Sequence, residues 1–288
     1  MSRLPVNKTY KLYIGGKFPR TESGRYYPVE DAGGNLLGNL CLASRKDVRN
    51  AVVAARKAQS GWSGATAYLR SQILYRIAEM LEGRRGQFIE ELTRLGSTRR
   101  QAEREVEQAV DLWVYYAGWA DKYIQVFSSV NPVASPHFNF SMPEPTGVIG
   151  ICVAEDSGLL GLSGALAPVV CGGNSAVVLT SQSKGSVAIS FAEVLNDSDL
   201  PGGVINLLTG DLGELLPHLS SHMDINGIAY YGDDADSIRM IQENAALNIR
   251  RVGLYEAIAE DPYRIIDFTE TKTTWHPVGV SAGGGGAY

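Results

Sequence analysis

Cysteine is scarce in this chain: Cys41, Cys152 and Cys171 are its only three, and none stands at a C-x-x-C spacing. That leaves no disulfide framework and no cysteine zinc site, and it suits a reducing cytosol. Long apolar runs are missing too. The longest, around "GALAPVV", is too short and too broken by Gly and Pro to span a bilayer. The opening "MSRLPVNKTYKLYIGG" lacks the apolar stretch of a secretory leader. Together these absences give the expectation of a cytoplasmic protein. No charge of one sign dominates: the net charge of −5 offers no basic face for nucleic acid or an anionic membrane. There is no internal repeat.

What is present describes an ordinary folded chain. Hydrophobic residues make up 44% and charged residues 20%, a globular balance, and 288 residues hold one large domain or two modest ones. Residues 8–43 read as extended, with a Gly-Gly turn in "TYKLYIGGKF" that signals a hairpin. Helices follow. Ser44 and Asp47 make a capping-box start to "RKDVRNAVVAARKAQSGW". "AYLRSQILYRIAEMLEGRRGQFIEELTRLG" continues, with Gly96 as its stop. A third helix carries apolar side chains at Val106, Ala109, Val110, Trp113, Tyr116, Ala117, Ala120, Tyr123, Ile124 and Phe127, a helical stripe whose aromatics read as core. "VNPVASPHFNFSMPEPTG" reads as a Pro-rich extended connection.

After it the pattern becomes strand–helix alternation. "GVIGICVA", "NSAVVLTS", "GGVINLLTG" and "INGIAYYG" are strands, each followed by a helical segment. Continuously apolar strands alternating with helices predict a parallel sheet covered on both faces, and right-handed crossovers make it Rossmann-like. "YRIIDFTETKTTWHPVG" reads as a final strand, and "SAGGGGAY" as a flexible tail. The fold class is therefore α/β: a Rossmann-like parallel sheet with helices on both faces, an N-terminal hairpin and helical region, and a C-terminal β strand.

The stretch "GVIGICVAEDSGLLG" opens that layer with strand, turn and glycine-bearing helix, the arrangement that holds a nucleotide's phosphates. It also carries Glu155 and Asp156, which an anionic ligand would not favour.

In order and spacing, "GVIGICVAEDSGLLGLSGALAPVVCGGNSAVVLTSQS", "LPGGVINLLTG" and "INGIAYYG" resemble the cofactor domain of the aldehyde dehydrogenase superfamily. "KLYIGGKF", "AVVAARKAQSGW" and "YYAGWADK" match its upstream pattern, and "FTETKTTWHPVG" resembles its C-terminal oligomerisation strand. The resemblance implies a cofactor-binding domain over residues 1–252, divided into an N-terminal part, 1–145, and a Rossmann-like part, 146–250. An oligomerisation strand over 253–280 and a tail over 281–288 follow.

The resemblance also shows what has changed. The family's Pro-Trp-Asn oxyanion triplet matches Ala154, Glu155 and Asp156. Its ribose-binding Lys and Glu match Thr180 and Ser183. Its Gly-Ser-Thr-x-x-Gly turn matches Gly232, Asp233, Asp234, Ala235, Asp236 and Ser237, and a turn glycine matches Gly210. An ionised Asp156 accepts hydrogen bonds and cannot donate to an oxyanion. The aspartates suit a helix N-terminus but repel phosphate. A divalent cation could sit on them, though a solvated helix-capping cluster is the preferred reading. No cysteine follows Cys171, and the nearest match to the family's catalytic Glu motif, "RVGLYEAI", places Glu256 without a following Gly-Gly. About forty residues follow the last helix, too few for a catalytic domain.

These readings lead to expectations. No catalytic residue, metal site or cofactor is expected, with weak NAD(P) binding at most. The favoured function is an aldehyde-dehydrogenase-like pseudoenzyme acting as a structural or regulatory subunit, with a full-length aldehyde dehydrogenase as partner and neither nucleic acid nor membrane. The alternatives are an NAD(P)-dependent component that supports aldehyde oxidation in trans, and a nucleotide-sensing module that uses Gly147, Gly150 and Gly210.

Overall fold

The computed structural model describes residues 8–156 and 158–279. Three short strands open it: β1 (Lys8–Tyr10), β2 (Tyr26–Glu30) and β3 (Leu36–Cys41), arranged β1-β3-β2. The Gly-Gly turn forms between β1 and β2, where Gly15 and Gly16 both take positive φ and Ile14 and Lys17 exchange two backbone hydrogen bonds. The paired segment is a single bridge rather than a long hairpin, because Tyr13 instead pairs with Leu207 and covers an edge of the main sheet.

The helices are α1 (Arg45–Ser63), α2 (Ala67–Gly83), α3 (Arg85–Arg94), α4 (Arg99–Trp119) and α5 (Tyr123–Phe127). The Ser44–Asp47 capping box is present, with the Asp47 carboxylate also accepting from the Thr21 hydroxyl at 2.7 Å. Two runs that read as continuous are broken. The second divides at Arg84, whose guanidinium reaches Asp197 at 2.5 Å. The aromatic run ends at Trp119 in a turn closed by the Lys122 N–H on the Trp119 carbonyl, which lets Tyr123 bury beneath Gly172.

The Pro-rich connection is itself a strand pair, β4 (Ser129–Asn131) and β5 (His137–Pro145). Pro143 and Pro145 lie beyond the reach of β4, which pairs only with Asn139–Ser141, so their missing N–H groups fall where β5 has one neighbour.

The main sheet comprises β6 (Val148–Cys152), β7 (Ser175–Leu179), β8 (Ile205–Leu208), β9 (Gly227–Tyr231) and β10 (Arg251–Tyr255). All its pairings are parallel, in the order β10-β9-β6-β7-β8. The helices α6 (Leu159–Cys171), α7 (Gly185–Asn196), α8 (Leu212–Ser220) and α9 (Ala235–Ala246) connect them. Alternate side chains of β6 face opposite layers: Val148 and Cys152 pack with α1 and α8, while Ile149 and Ile151 pack with α6 and α4. This is the expected fold class. The fifth strand, β10, is an addition: the sequence gives "RVGLY" no strong alternation, and its residues are only partly buried.

The segment read as one final strand is instead α10 (Tyr263–Ile266) followed by β11 (Thr269–Pro277). The Asp261 carboxylate accepts from the Tyr263 N–H at 2.9 Å and turns the chain after Pro262. β11 then runs antiparallel to β5 over nine residues, giving a second sheet ordered β11-β5-β4. The tail expected over 281–288 lies outside the described residues. Among the described residues no helix is long and apolar enough to cross a membrane.

The lower, N-terminal ends of the strands are held by buried amides. Gln59 accepts from the Ser175 N–H and donates to the Gly173 carbonyl, at 2.7 and 3.0 Å. Asn174 accepts from the Gly147 N–H, and Asn226 accepts from the Val148 N–H. Gly147 has φ +136, and a Cβ there would run into the Asn226 side chain. Gly147→Ala is expected to lower the unfolding free energy by about 3 kcal/mol. Gly86→Ala, in a helix with open space around the added methyl, is expected to stay within about 1 kcal/mol and on the stabilising side. Urea denaturation of the two variants measures the contrast.

Candidate functional site: a crevice at the upper strand ends

Strand order reverses between β6 and β9: β7 and β8 lie to one side and β10 to the other. An open parallel sheet binds ligands outside the C-terminal strand ends at such a point. A cavity of about 890 Å³ opens there between α4 and the ends of β6, β9 and β10. A second, of about 520 Å³, lies toward α7 and α8. Both are lined by Ala154, Asp156, Tyr231, Gly232 and Asp233, so they form one crevice across the reversal.

Several of the residues singled out from sequence meet here. Ala154, Glu155 and Asp156 leave β6, Ser183 approaches from the β7–α7 loop, and Gly232 and Asp233 leave β9. Thr180 and Gly210 do not line either cavity. Thr180 is buried and its hydroxyl donates to the Leu208 carbonyl at 3.2 Å. A Cβ on Gly210 would meet Leu215 and the Ala43 nitrogen at 3.1 and 3.2 Å, so packing explains this glycine. Gly150 is likewise pressed by Leu219, at 3.1 Å from an added Cβ.

Carboxylates of this chain already accept from backbone N–H groups at and just before the helix starts around the crevice. Glu155 accepts from the Gln182 and Ser183 N–H groups at 2.9 and 2.7 Å, just before α7. The Ser181 and Ser183 hydroxyls both donate to its backbone carbonyl, closing the loop pair. Asp234 is the N-cap of α9 and accepts from the Ser237 N–H at 2.8 Å; the Ser237 hydroxyl, and then this N–H, hold its carboxyl below the usual range. At α6 the N-cap is Gly158, not Asp156, and Glu105 on α4 accepts from the Leu160 N–H at 3.3 Å. Each carboxylate sits where the backbone N–H groups and the helix dipole would favour an anion.

Sequence reasoning passed over the far wall. Tyr231 and Tyr255 stack with ring centroids 4.9 Å apart, and the Arg264 guanidinium covers Tyr255 at 3.8 Å. Tyr255 donates to Asp267 at 2.7 Å. Burial raises both phenols above the ordinary range, and Asp267 adds to the shift at Tyr255. After β10 the chain is held by the Tyr116 hydroxyl, which donates to the Ala259 carbonyl at 3.0 Å, and Ile258 rests on Gly164 of α6. "YY" before Gly232 was a local cue to the wall. Glu105 had none, because its partner lies 55 residues away.

The wall offers no nucleophilic thiol. Cys152 and Cys171 are fully buried, and burial pushes each thiol up to about 12; Cys41 is buried in the layer below. A thiol of that acidity carries almost no thiolate at neutral pH. Among the described residues no group of three or more His, Cys, Asp or Glu is placed to hold a metal ion.

The model of the aldehyde dehydrogenase family matches residues 19–274. Mouse cytosolic 10-formyltetrahydrofolate dehydrogenase is 29% identical over 265 residues, covering 88% of this chain and 29% of that one. The mitochondrial benzaldehyde dehydrogenase of Antirrhinum majus is 30% identical over 256 residues, covering 87% and 47%. The chain thus spans about half the length, or less, of these curated relatives. Among solved structures, an NAD-dependent aldehyde dehydrogenase from Sinorhizobium meliloti superposes with TM-score 0.81 at 25% identity, over 86% of this chain and 50% of that one. An NAD⁺ complex of the aldehyde dehydrogenase from Bacillus cereus gives TM-score 0.81 at 23% identity over the same shares. That complex corrects the expectation that no cofactor belongs here. The resemblance puts uncharged Thr180 and Ser183 at the ribose-binding positions, but a dinucleotide crevice is made mostly by strand ends, a turn and helix starts, and those features are present here.

Two outcomes follow from the buried groups. Iodoacetamide at pH 8 is expected to leave Cys152 and Cys171 unmodified in the folded chain and to label both in urea, read by mass spectrometry. Tyr10 and Tyr13 are also pushed up to about 12 by burial. The unfolded chain ionises these thiols and phenols near pH 9 and 10, whereas the folded chain holds their protons to about 12. Their contribution is complete below pH 9 and is lost as pH rises toward 12, so urea midpoints are expected to fall across that window.

Proposed function

The chain belongs to the aldehyde dehydrogenase family, and from that premise we propose that it is a non-catalytic member, a structural or regulatory subunit that assembles with a full-length aldehyde dehydrogenase. The sheet β11-β5-β4 carries this reading. Its outer strands β11 and β4 have no further pairing among the described residues, and it leaves Val130, Phe138 and Trp275 exposed at 67%, 46% and 56%. An open β edge beside exposed aromatics is a ready surface for a partner. The family resemblance assigns β11 to a neighbour's catalytic-domain sheet. In this chain β10 leads to β11 through residues 256–268 alone, and this supports a receiving sheet supplied by another chain.

The crevice favours a second role within the same assembly, an NAD(P)-holding component that supports aldehyde oxidation in trans. Its support is the cavity of about 890 Å³ at the strand-order reversal. Ala154, Ser183 and Gly232 would lie along a bound dinucleotide. The cofactor would supply a hydride acceptor, and the reacting thiol would be the partner's.

Co-expression of this chain with a full-length aldehyde dehydrogenase from the same cell, followed by native mass determination, tests the assembly. A complex in fixed ratio is expected, and the Phe138→Lys/Trp275→Lys variant is expected to stay folded by circular dichroism and to lose it. Recovery of this chain alone, or only with copies of itself, would sink the subunit reading. For the second role, NAD⁺ at a hundredfold excess over its dissociation constant is expected to stabilise the chain by about 2.7 kcal/mol. Thermal unfolding that NAD⁺ and NADP⁺ both leave unchanged removes that role.

A further inference from the structure

α1 and α8 run side by side over one face of the sheet, and the groove between them holds a separate cavity of about 320 Å³. The crevice reaches only the first residue of α8, Leu212, whereas this groove begins at His218 and is closed at its end by Met223. Arg45 and Arg49 line one wall, His218 and His222 the other, and buried Val48 lies beneath them. Arg45 and Arg49 are spaced i, i+4 on α1, so both point to one side of it; His218 sits in the last turn of α8 and His222 just beyond its end.

The carboxylates borne by these elements are committed elsewhere. Asp47 serves Ser44 and Thr21. Asp211 caps α8. Glu214 also lies near His218, but it is paired with Arg25 at 2.5 Å. Asp224, which follows the groove, is 3.9 Å from Arg56. Among the described residues no ion pair involves Arg45 or Arg49. The His222 Nδ1 accepts from the Asp224 N–H at 3.2 Å, which leaves the ring proton on Nε2 as a donor. Burial pushes the pKa of that ring down; the adjacent Asp224 opposes the shift, while Arg250, Arg49 and Arg56 add to it, so positive charge from three arginines converges beside the ring.

This convergence has a cost without an anion. Like charges at i, i+4 repel, and basic side chains in the first turns of α1 oppose its dipole. It is also concentrated on a chain whose net charge is −5. Two guanidinium forks facing two imidazoles across a groove of this size match a tetrahedral oxyanion. We infer that the α1–α8 groove binds a phosphate group, either inorganic phosphate or the phosphate of a small monoester, with Arg45 and Arg49 as the charged donors and His218 and His222 completing its shell. This site is independent of the crevice and of any partner.

The test is isothermal titration of the full chain with inorganic phosphate, and separately with glycerol 3-phosphate, in chloride buffer at constant ionic strength. Saturable binding at one site per chain is expected, with the His218 and His222 imidazole resonances shifting during the titration. Arg45→Gln/Arg49→Gln is expected to weaken it about tenfold or more. Lys46→Gln, on the same turn but paired with Glu22, is expected to leave it unchanged. Tighter binding of the monoester identifies a phosphorylated metabolite, and equal binding identifies phosphate itself. Either supports the site. Absence of saturable binding to the unmodified chain, histidine resonances that do not move, or equal affinity in the double variant would overturn it. The first two readings need no variant to fold.

Discussion

The structure depends on one constraint: β6 is buried on both faces and paired on both edges. A strand in that position can touch solvent only at its ends. Its alternate side chains must therefore satisfy two helical layers at once, and any chemistry must occur where the strand stops. The lower end is taken by Asn174, Asn226 and Gln59, which match the backbone groups left by the parallel ladder. Unpaired N–H groups there would be costly to bury, so this end is fixed as scaffold. The upper end remains open.

At that open end the chain uses its own carboxylates where a ligand's negative charge would otherwise rest. Glu105 and Asp234 accept from N–H groups at a helix start, and Glu155 from those of the loop just before α7. Such charge-assisted bonds stabilise the loops in the absence of ligand. They also mean that a dinucleotide entering the crevice meets a set of groups that must turn aside or be shielded. Crevice shape and charge at the helix ends are thus separable properties: the first follows from the sheet's topology, the second from a few side chains. A judgement about cofactor based on those side chains alone missed what the topology retains.

The same separation explains what could be read beforehand. The parallel layer was legible because "GVIGICVA", "NSAVVLTS" and "INGIAYYG" are apolar without interruption, a pattern that a two-sided burial imposes directly. The Ser44–Asp47 box was legible because its partners are three residues apart. β10 was not, since an edge strand with partial burial needs no strong pattern. α10 was hidden inside a β-rich run because its stop depends on Asp261 and Pro262 together. At the site, the turns carrying Ala154–Asp156 and Gly232–Asp233 meet in one crevice, because both leave the upper ends of neighbouring strands. Glu105 and the Tyr231–Tyr255–Arg264 wall were not legible, because their relations run across tens of residues and leave no local period.

The second sheet extends this logic to the outside of the molecule. β5 is held by β11 along its full length, yet the prolines that make it look like a linker confine its other edge to the three residues of β4. Pro143 and Pro145 therefore limit where further pairing can occur, while Trp275 and Phe138 leave an apolar surface nearby. An edge protected at one end and exposed at the other is directional: an added strand must enter from the unprotected side and in one register. The placement of Pro143, Pro145 and β4 thus sets which part of this sheet could accept a further strand, independently of the chemistry at the crevice.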